Sequence, residues 1–274
     1  MSRISEVFQT RFNSVSERLT HPTPETIAKT LATVFDLIPI RGKEHWKEIK
    51  ELQESGSKLV ILPPHWSVAD IALFYVVAKE LSTTIVGPIS QKFFDGRMGQ
   101  LGEVAPSLKK LNLDLYPVVQ VQDETEPDRR QNTSAWLDII RRFKRGAVLG
   151  IFPQGTRSPE IGARRAPESI TEFIDEKIFK KNPDNLYLVQ IYLKDAHEFW
   201  PTGKPKPNIF KFFQLAIHLG KPIPYTRASE IAQQISCPVS EVPMIVSLSE
   251  LPPENWGDYT AKVSEYDRLF KSKK

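Results

Sequence analysis

The sequence holds a single cysteine, Cys237, in 274 residues. An intrachain disulfide and a cysteine-ligated metal cluster are both excluded, and a reducing interior compartment is the simplest setting. Cys237 itself reads as a small buried apolar residue. Nowhere do apolar residues run unbroken for the about eighteen positions that a membrane span requires. The first stretch, MSRISEVFQTRFNSVSERL, carries charges throughout and lacks the apolar block of a signal peptide. A cytoplasmic protein is therefore expected, one that reaches lipid only as a peripheral protein at the inner membrane surface. Charge of one sign is not in great excess either. A net charge of +4 and a pI near 9.0 suit an anionic partner, whether phosphate ester, acidic lipid surface or nucleic acid. No recognisable nucleic-acid module accompanies the paired basic residues, so nucleic acid is not expected as a partner. His21, His45, His197 and His218 are too scattered for a metal site, and no internal repeat or low-complexity linker is present.

What the chain does have is a change of period. Ile4, Val7, Phe8, Phe12, Val15 and Leu19 recur at helical spacing and predict an amphipathic helix up to Leu19. Thr23 before Pro24 reads as the N-cap and first position of a second helix through Leu37. KEHWKEIKELQESG reads as a third, ended by Gly56. Residues 1–56 are thus expected to form an N-terminal helical segment, and 57–274 the main domain. After Gly56, KLVIL is a short apolar run between turn signals, as in a buried parallel strand. SVADIALFYVVAKEL then predicts a helix, TTIVG a strand, and Gln91 to Leu111 a helical stretch leading into LDLYPVV. SAWLDIIRRFKRG predicts a helix closed by Gly146, and AVLGIF the next strand. LYLVQIYL, MIVSL and IFKFF (Ile209 to Phe213) read as further strands, the last of them buried. Strands alternating with helices predict an α/β fold with a mostly parallel central sheet flanked by helices.

In such a sheet ligands gather at the carboxyl ends of the strands. Two loops stand there: KLVIL runs into PHWSVAD, and AVLGIF runs into FPQGTRS. Five residues along a helix turn through about 500°, so His65 and Asp70 would not share a helical face. They can meet if His65 lies in the turn before the helix, with Ser67 as N-cap and Asp70 one turn inside. One imidazole nitrogen would then rest on the carboxylate while the other stays free to take a proton. The helix start would also offer backbone N–H groups to a developing oxyanion. In the second loop Gly155 lets backbone approach a ligand, Thr156 supplies a hydroxyl, and Arg157 can fork onto a phosphate. A His–Asp pair alone is explained as well by a surface histidine beside a helix-start aspartate, and a structural turn also uses Pro and Gly. A purely structural turn has no need of Arg157, however, and the two loops together are more specific than either.

On these residues the sequence resembles the glycerolipid acyltransferases typified by lysophosphatidate (1-acylglycerol-3-phosphate) acyltransferase. That family's first motif is Asn-His-x-Ser-x-x-Asp, to which PHWSVAD supplies His65, Ser67 and Asp70. Its third is Phe-Pro-Glu-Gly-Thr-Arg-Ser, against FPQGTRS here. SQKFFDGRMGQLG is similar to the second motif, with Lys92 and Arg97 as its basic residues, and YLVQIYL with HLGKPIP is similar to the fourth and the strand after it. The resemblance runs from Lys58 to Thr226 and implies the glycerol-phosphate acyltransferase-like fold. It implies transfer of a fatty acyl group from a thioester, acyl-CoA or acyl-ACP as co-substrate, to a hydroxyl of a glycerol-phosphate or lysophospholipid acceptor. His65 would be the general base and Asp70 its orienting partner. Lys92, Arg97, Gln154, Gly155, Thr156 and Arg157 would bind substrate, with the acceptor phosphate on Arg157 helped by Lys92 or Arg97. No metal or further cofactor is implied. This sequence departs from the family at Pro64, where Asn is usual, at Gln190, where proline is usual, and at Gln154, where glutamate is usual. PEIGARRAPES lacks the Lys-x-Gly usual after the arginine, and Arg164 and Arg165 stand where that cation would be. Gln154 motivates a second reading, a lipid- or acyl-binding homologue of the same fold with weak or no catalysis. For membrane contact, the N-terminal amphipathic helix and IFKFF are the best apolar candidates.

Overall fold

Val60, Ile61, Val86, Leu149 and Leu188 are withdrawn from solvent almost completely, which is why the strands carrying them read as unbroken apolar runs. A computed structural model describes residues 23–93, 106–119, 125–158, 161–202, 204 and 207–271; the predicted helix ending at Leu19 and the predicted site residue Arg97 lie outside these. Nine strands are numbered along this described chain. A six-stranded sheet takes β2 (Lys58–Ile61), β3 (Ile85–Ser90), β4 (Leu113–Val118), β5 (Val148–Gly150), β6 (Leu186–Val189) and β9 (Ile223–Pro224) in the order β4-β3-β5-β2-β6-β9. All its pairings are parallel except β6 with β9, so the fold is α/β with a mostly parallel central sheet. A second, three-stranded sheet is formed by β1 (Ile40–Arg41), β8 (Ala216–Leu219) and β7 (Ile191–Lys194), in that order.

The helices follow in chain order as α1 (Pro24–Phe35), α2 (His45–Glu54), α3 (Ile71–Glu80), α4 (Glu126–Lys144), α5 (Glu168–Phe173), α6 (Ala196–Phe199), α7 (Tyr225–Gln234), α8 (Val242–Leu248) and α9 (Thr260–Tyr266). Thr23 caps α1 through its hydroxyl, which accepts from the Thr26 N–H at 3.2 Å. Residues from this N-terminal part are built into the same core as the sheet. Ala28, Phe35, Ile38, Trp46 and Ile49 pack in one cluster with it, and Ile40 pairs with Ile217.

Three expectations are corrected. LYLVQIYL is two strands: the chain passes at Gln190 from β6 in the central sheet to β7 in the smaller one, and the Gln190 carbonyl accepts from the Gly220 N–H at 2.9 Å. MIVSL lies in helix α8, whose seven residues are all buried. A short apolar run buried on every side has no period to separate helix from strand, and Pro243 in the first turn favours the helix. IFKFF is a 3-10 turn, Ile209–Gln214, started by Asn208, whose side chain accepts from the Phe210 N–H at 3.2 Å. Among Ile209, Phe210, Phe212 and Phe213 only Phe212 is buried.

The segment after Ser158 is fastened to the C-terminal part. Ala163 N–H donates to the Asn255 carbonyl, Arg165 N–H to Asp258, and Ala166 N–H to the Tyr259 hydroxyl at 3.0 Å. Gly257 sits at φ +52, and a Cβ there would meet the Ala163 carbonyl oxygen at 2.3 Å, so only glycine allows this approach. Tyr259 in turn donates to Glu241 at 3.3 Å, and Arg165 lies 4.0 Å from the same carboxylate. Burial pushes the Glu241 carboxyl above its ordinary value, with the Arg165 charge and the Tyr259 hydrogen bond opposing. A carboxyl raised by folding is most favourable below its ordinary value and costs stability as pH rises through the folded value. Glu241→Gln is therefore expected to raise the melting temperature by about 2–4 °C at pH 8. The gain should shrink through the acid range and vanish below about pH 4, as thermal melts across pH will read.

Candidate active site

β2 and β5 are neighbours in the sheet and run parallel, with Val60 opposite Leu149 and Ile61 opposite Gly150. The Ile151 N–H still donates to the Ile61 carbonyl at 3.0 Å, so the loops that follow leave the sheet side by side. That neighbourhood brings together residues nearly a third of the chain apart. The loops are then bonded to each other. Ser158 N–H donates to the His65 carbonyl at 2.8 Å, and His65 N–H donates to Gln154 Oε1 at 2.6 Å. Gln154 Nε2 donates to Ser158 Oγ at 3.3 Å, and that oxygen also accepts from the Arg164 N–H at 2.9 Å. Thr202, from the segment after α6, donates its hydroxyl to the Ser158 carbonyl at 3.0 Å. Gln154 is 2% exposed, and both ends of its amide are engaged by the protein. Gly155 takes the turn of the second loop at φ +69, the left-handed region that favours glycine.

In the first loop Ser67 adopts extended dihedrals and accepts from the Ala69 N–H at 3.1 Å, starting the turn Val68–Asp70 that leads into α3. This puts Asp70 one turn inside and His65 before it. The Asp70 side chain is wholly buried, and its Oδ2 accepts from Trp66 N–H and Ser67 N–H, each at 2.7 Å, and contacts His65 Nδ1 at 3.0 Å. A carboxylate on Nδ1 calls for the tautomer with its proton there, leaving the Nε2 lone pair available. The ring lies flat on Phe152, with centroids 4.0 Å apart and planes at 16°, and Phe152 stacks in turn on Phe74. The His65 side chain keeps 18% of its surface exposed, enough for a substrate atom to reach it.

Arg157 is half-buried, and among the described residues no carboxylate lies within ion-pair distance of it. Burial pulls its guanidinium below arginine's ordinary value, and the charge of Asp70 is the influence that opposes this. A desolvated cation beside the His–Asp pair, with no anion of its own, is an electrostatic site for an anionic group.

Most backbone N–H groups at the helix start are engaged within the loop itself. Those of Trp66, Ser67 and Ala69 are taken by the side chains of Asp70 and Ser67, and that of Asp70 by the Ser67 carbonyl. The same capping that orients Asp70 consumes them. Lys92 stands in the turn Gln91–Phe93 directly after β3, at the same carboxyl edge of the sheet. Thr156 is half-buried and Gly155 exposed. Arg165 faces Glu241 rather than completing the cation expected after Arg157. Phe152, Ser158 and Thr202 were not singled out from the sequence. Phe152 and Ser158 flank the loop residues that were, and the strand-end position of Phe152 was the available signal. Thr202 offers no sequence signal, since its partners are distant in the chain.

A comparison with protein-family models finds no match, and a comparison with curated proteins finds none either. Among solved structures, the crystal structure of the 1-acyl-sn-glycerophosphate (LPA) acyltransferase PlsC from Thermotoga maritima is similar at 13% sequence identity, over 79% of this chain and 78% of that one, with a TM-score of 0.44.

Proposed function

We propose that this protein transfers a fatty acyl group from a thioester to a hydroxyl of a glycerol-phosphate or lysophospholipid acceptor. The observation that carries the reading is the buried Asp70 carboxylate on His65 Nδ1 at 3.0 Å, beside a half-buried arginine with no anionic partner among the described residues. The acceptor's phosphate binds Arg157, which places the neighbouring hydroxyl against His65. Nε2 takes the hydroxyl proton as the oxygen attacks the thioester carbonyl carbon, and Asp70 stabilises the resulting imidazolium. The tetrahedral intermediate collapses with cleavage of the C–S bond. The thiolate leaves with the proton returned from Nε2, giving ester and free thiol. Gln154 acts as a positioning residue: it holds the His65 backbone and, through Ser158, the loop that carries Arg157.

The test is to incubate the purified protein with acyl-CoA or acyl-ACP and a panel of glycerol, glycerol phosphate and lysophospholipid acceptors, measuring thiol release and ester product. Turnover that prefers phosphorylated acceptors supports the reading. Binding of acyl chains without turnover on any acceptor decides for the acyl-binding alternative. Arg157→Ala is expected to raise KM for a phosphorylated acceptor about a hundredfold, because hydrogen bonds to a charged group are lost. It should also abolish the preference over glycerol. An unchanged KM would remove the phosphate from Arg157.

A further inference from the structure

From Phe199 to Ser229 the sequence carries no aspartate or glutamate, against Lys204, Lys206, Lys211, Lys221 and Arg227. Within this acid-free run the 3-10 turn Ile209–Gln214 directs apolar side chains outward: Ile209 is 46% exposed, Phe210 84% and Phe213 56%. Six large hydrophobic side chains are exposed among the described residues, and three of them sit on this one turn. Single exposed hydrophobics are ordinary, but three on one firmly mounted turn form a patch. The mounting is specific. Phe212 points inward and packs edge-on to Phe199 at 5.7 Å, and the Lys211 ammonium donates to Glu198 at 2.6 Å, so both tie the turn back to α6.

We propose that the turn Ile209–Phe213 inserts into an anionic lipid bilayer and sets the His65–Arg157 site at the level of the headgroups. Aromatic side chains in a stretch where lysines outnumber acids, Glu198 paired with Lys211 being the nearest acid in the chain, favour a negatively charged interface. Three side chains on a single turn fall far short of the roughly 20–30 residues a side of a stable protein–protein interface. They match the few apolar anchors that a peripheral protein buries beneath the headgroups. The turn is also connected to the site. Thr202, upstream in the same segment, donates to the Ser158 carbonyl at 3.0 Å and lies 3.4 Å from the Trp66 carbonyl, so it touches the residues that follow Arg157 and His65. Insertion of the turn thereby fixes where both loops stand relative to the bilayer, and an acceptor's phosphate meets Arg157 without its chain leaving the lipid. This deepens the acyltransferase reading by naming the surface from which the acceptor is drawn.

The experiment is flotation with phosphatidylcholine vesicles, with and without phosphatidylglycerol, using wild type, Phe210→Ser/Phe213→Ser and His65→Ala. Wild type and His65→Ala are expected to partition equally onto the anionic vesicles. The double phenylalanine variant should lose about tenfold in partition per side chain at an unchanged melting temperature, since both rings are exposed. It should keep wild-type turnover on water-soluble glycerol phosphate and lose turnover on acceptor embedded in vesicles. Equal partition of wild type and the double variant would overturn the proposal, and so would wild type that ignores anionic vesicles. A concentration-dependent dimer or a protein complex that needs Phe210, formed in place of vesicle binding, would overturn it too. Absence of turnover on every acceptor would refute the acyltransferase reading alone, because the partition measurement uses no catalysis.

Discussion

Replacing His65 by alanine is expected to lower acyl transfer about a thousandfold, the range a positioned general base supplies. The fold should survive. The ring is partly exposed and stacks on Phe152, while the loop is held by backbone bonds from Ser158 and to Gln154 that do not involve the imidazole. A melting temperature within a few degrees of wild type, together with thiol release near background, is the expected pair of measurements. Asp70→Asn is the companion variant and should be damaging for a different reason. Its site receives two backbone N–H groups and the Nδ1 proton on one oxygen, so an amide loses the charge that stabilises the imidazolium. A wild-type rate in His65→Ala would end the proposed mechanism.

Gln154→Glu is expected to destabilise the protein by about 2–4 kcal/mol at neutral pH and to bring no gain in rate. The side chain is 2% exposed, and glutamine serves both sides of its site, accepting from His65 N–H and donating to Ser158 Oγ. A carboxylate could still accept from His65 and from a turned Ser158 hydroxyl, but it would be a buried charge. Such a carboxyl has its affinity for protons raised by folding, so the loss should be full at pH 8 and fade as acid protonates it. Melts of wild type and variant at pH 8 and pH 4.5 check the sign. Gln154→Leu should be poor at both pH values, because it leaves the His65 N–H without its acceptor. A faster and equally stable Gln154→Glu at pH 8 would mean that Arg157 swings onto the new carboxylate. The native glutamine would then be a handicap rather than the connector between the loops.

How far the site could be read ahead of the structure depended on the range of the forces involved. The His65–Asp70 contact follows from a six-residue stretch: Ser67 stops the helix behind it, capping sets the direction of the turn, and Asp70 comes round to the imidazole. The same local chemistry engages the N–H groups of Trp66, Ser67, Ala69 and Asp70 within the turn, in competition with an oxyanion. In the sequence Gln154 reads as a substitution in a substrate-binding loop, because the donor to its side-chain oxygen, the His65 N–H, is 89 residues away along the chain. MIVSL and IFKFF differ from the expected strands because short apolar runs state that a segment is apolar and not what covers it. One is a helix buried on all sides; the other is a turn with most of its side chains outside.

The α/β alternation, the caps at Thr23 and Ser67, and the pairing of His65 with Asp70 are encoded locally. Each of these is settled by hydrophobic period or by sterics and hydrogen bonds within a few residues. That β2 lies beside β5, that Gln154 and Ser158 join the two loops, and that Thr202 reaches both from the segment bearing Phe210 emerge from the packed fold. Strand order and cross-chain hydrogen bonds depend on which buried surfaces pack best together, a property of the whole core that no local stretch encodes.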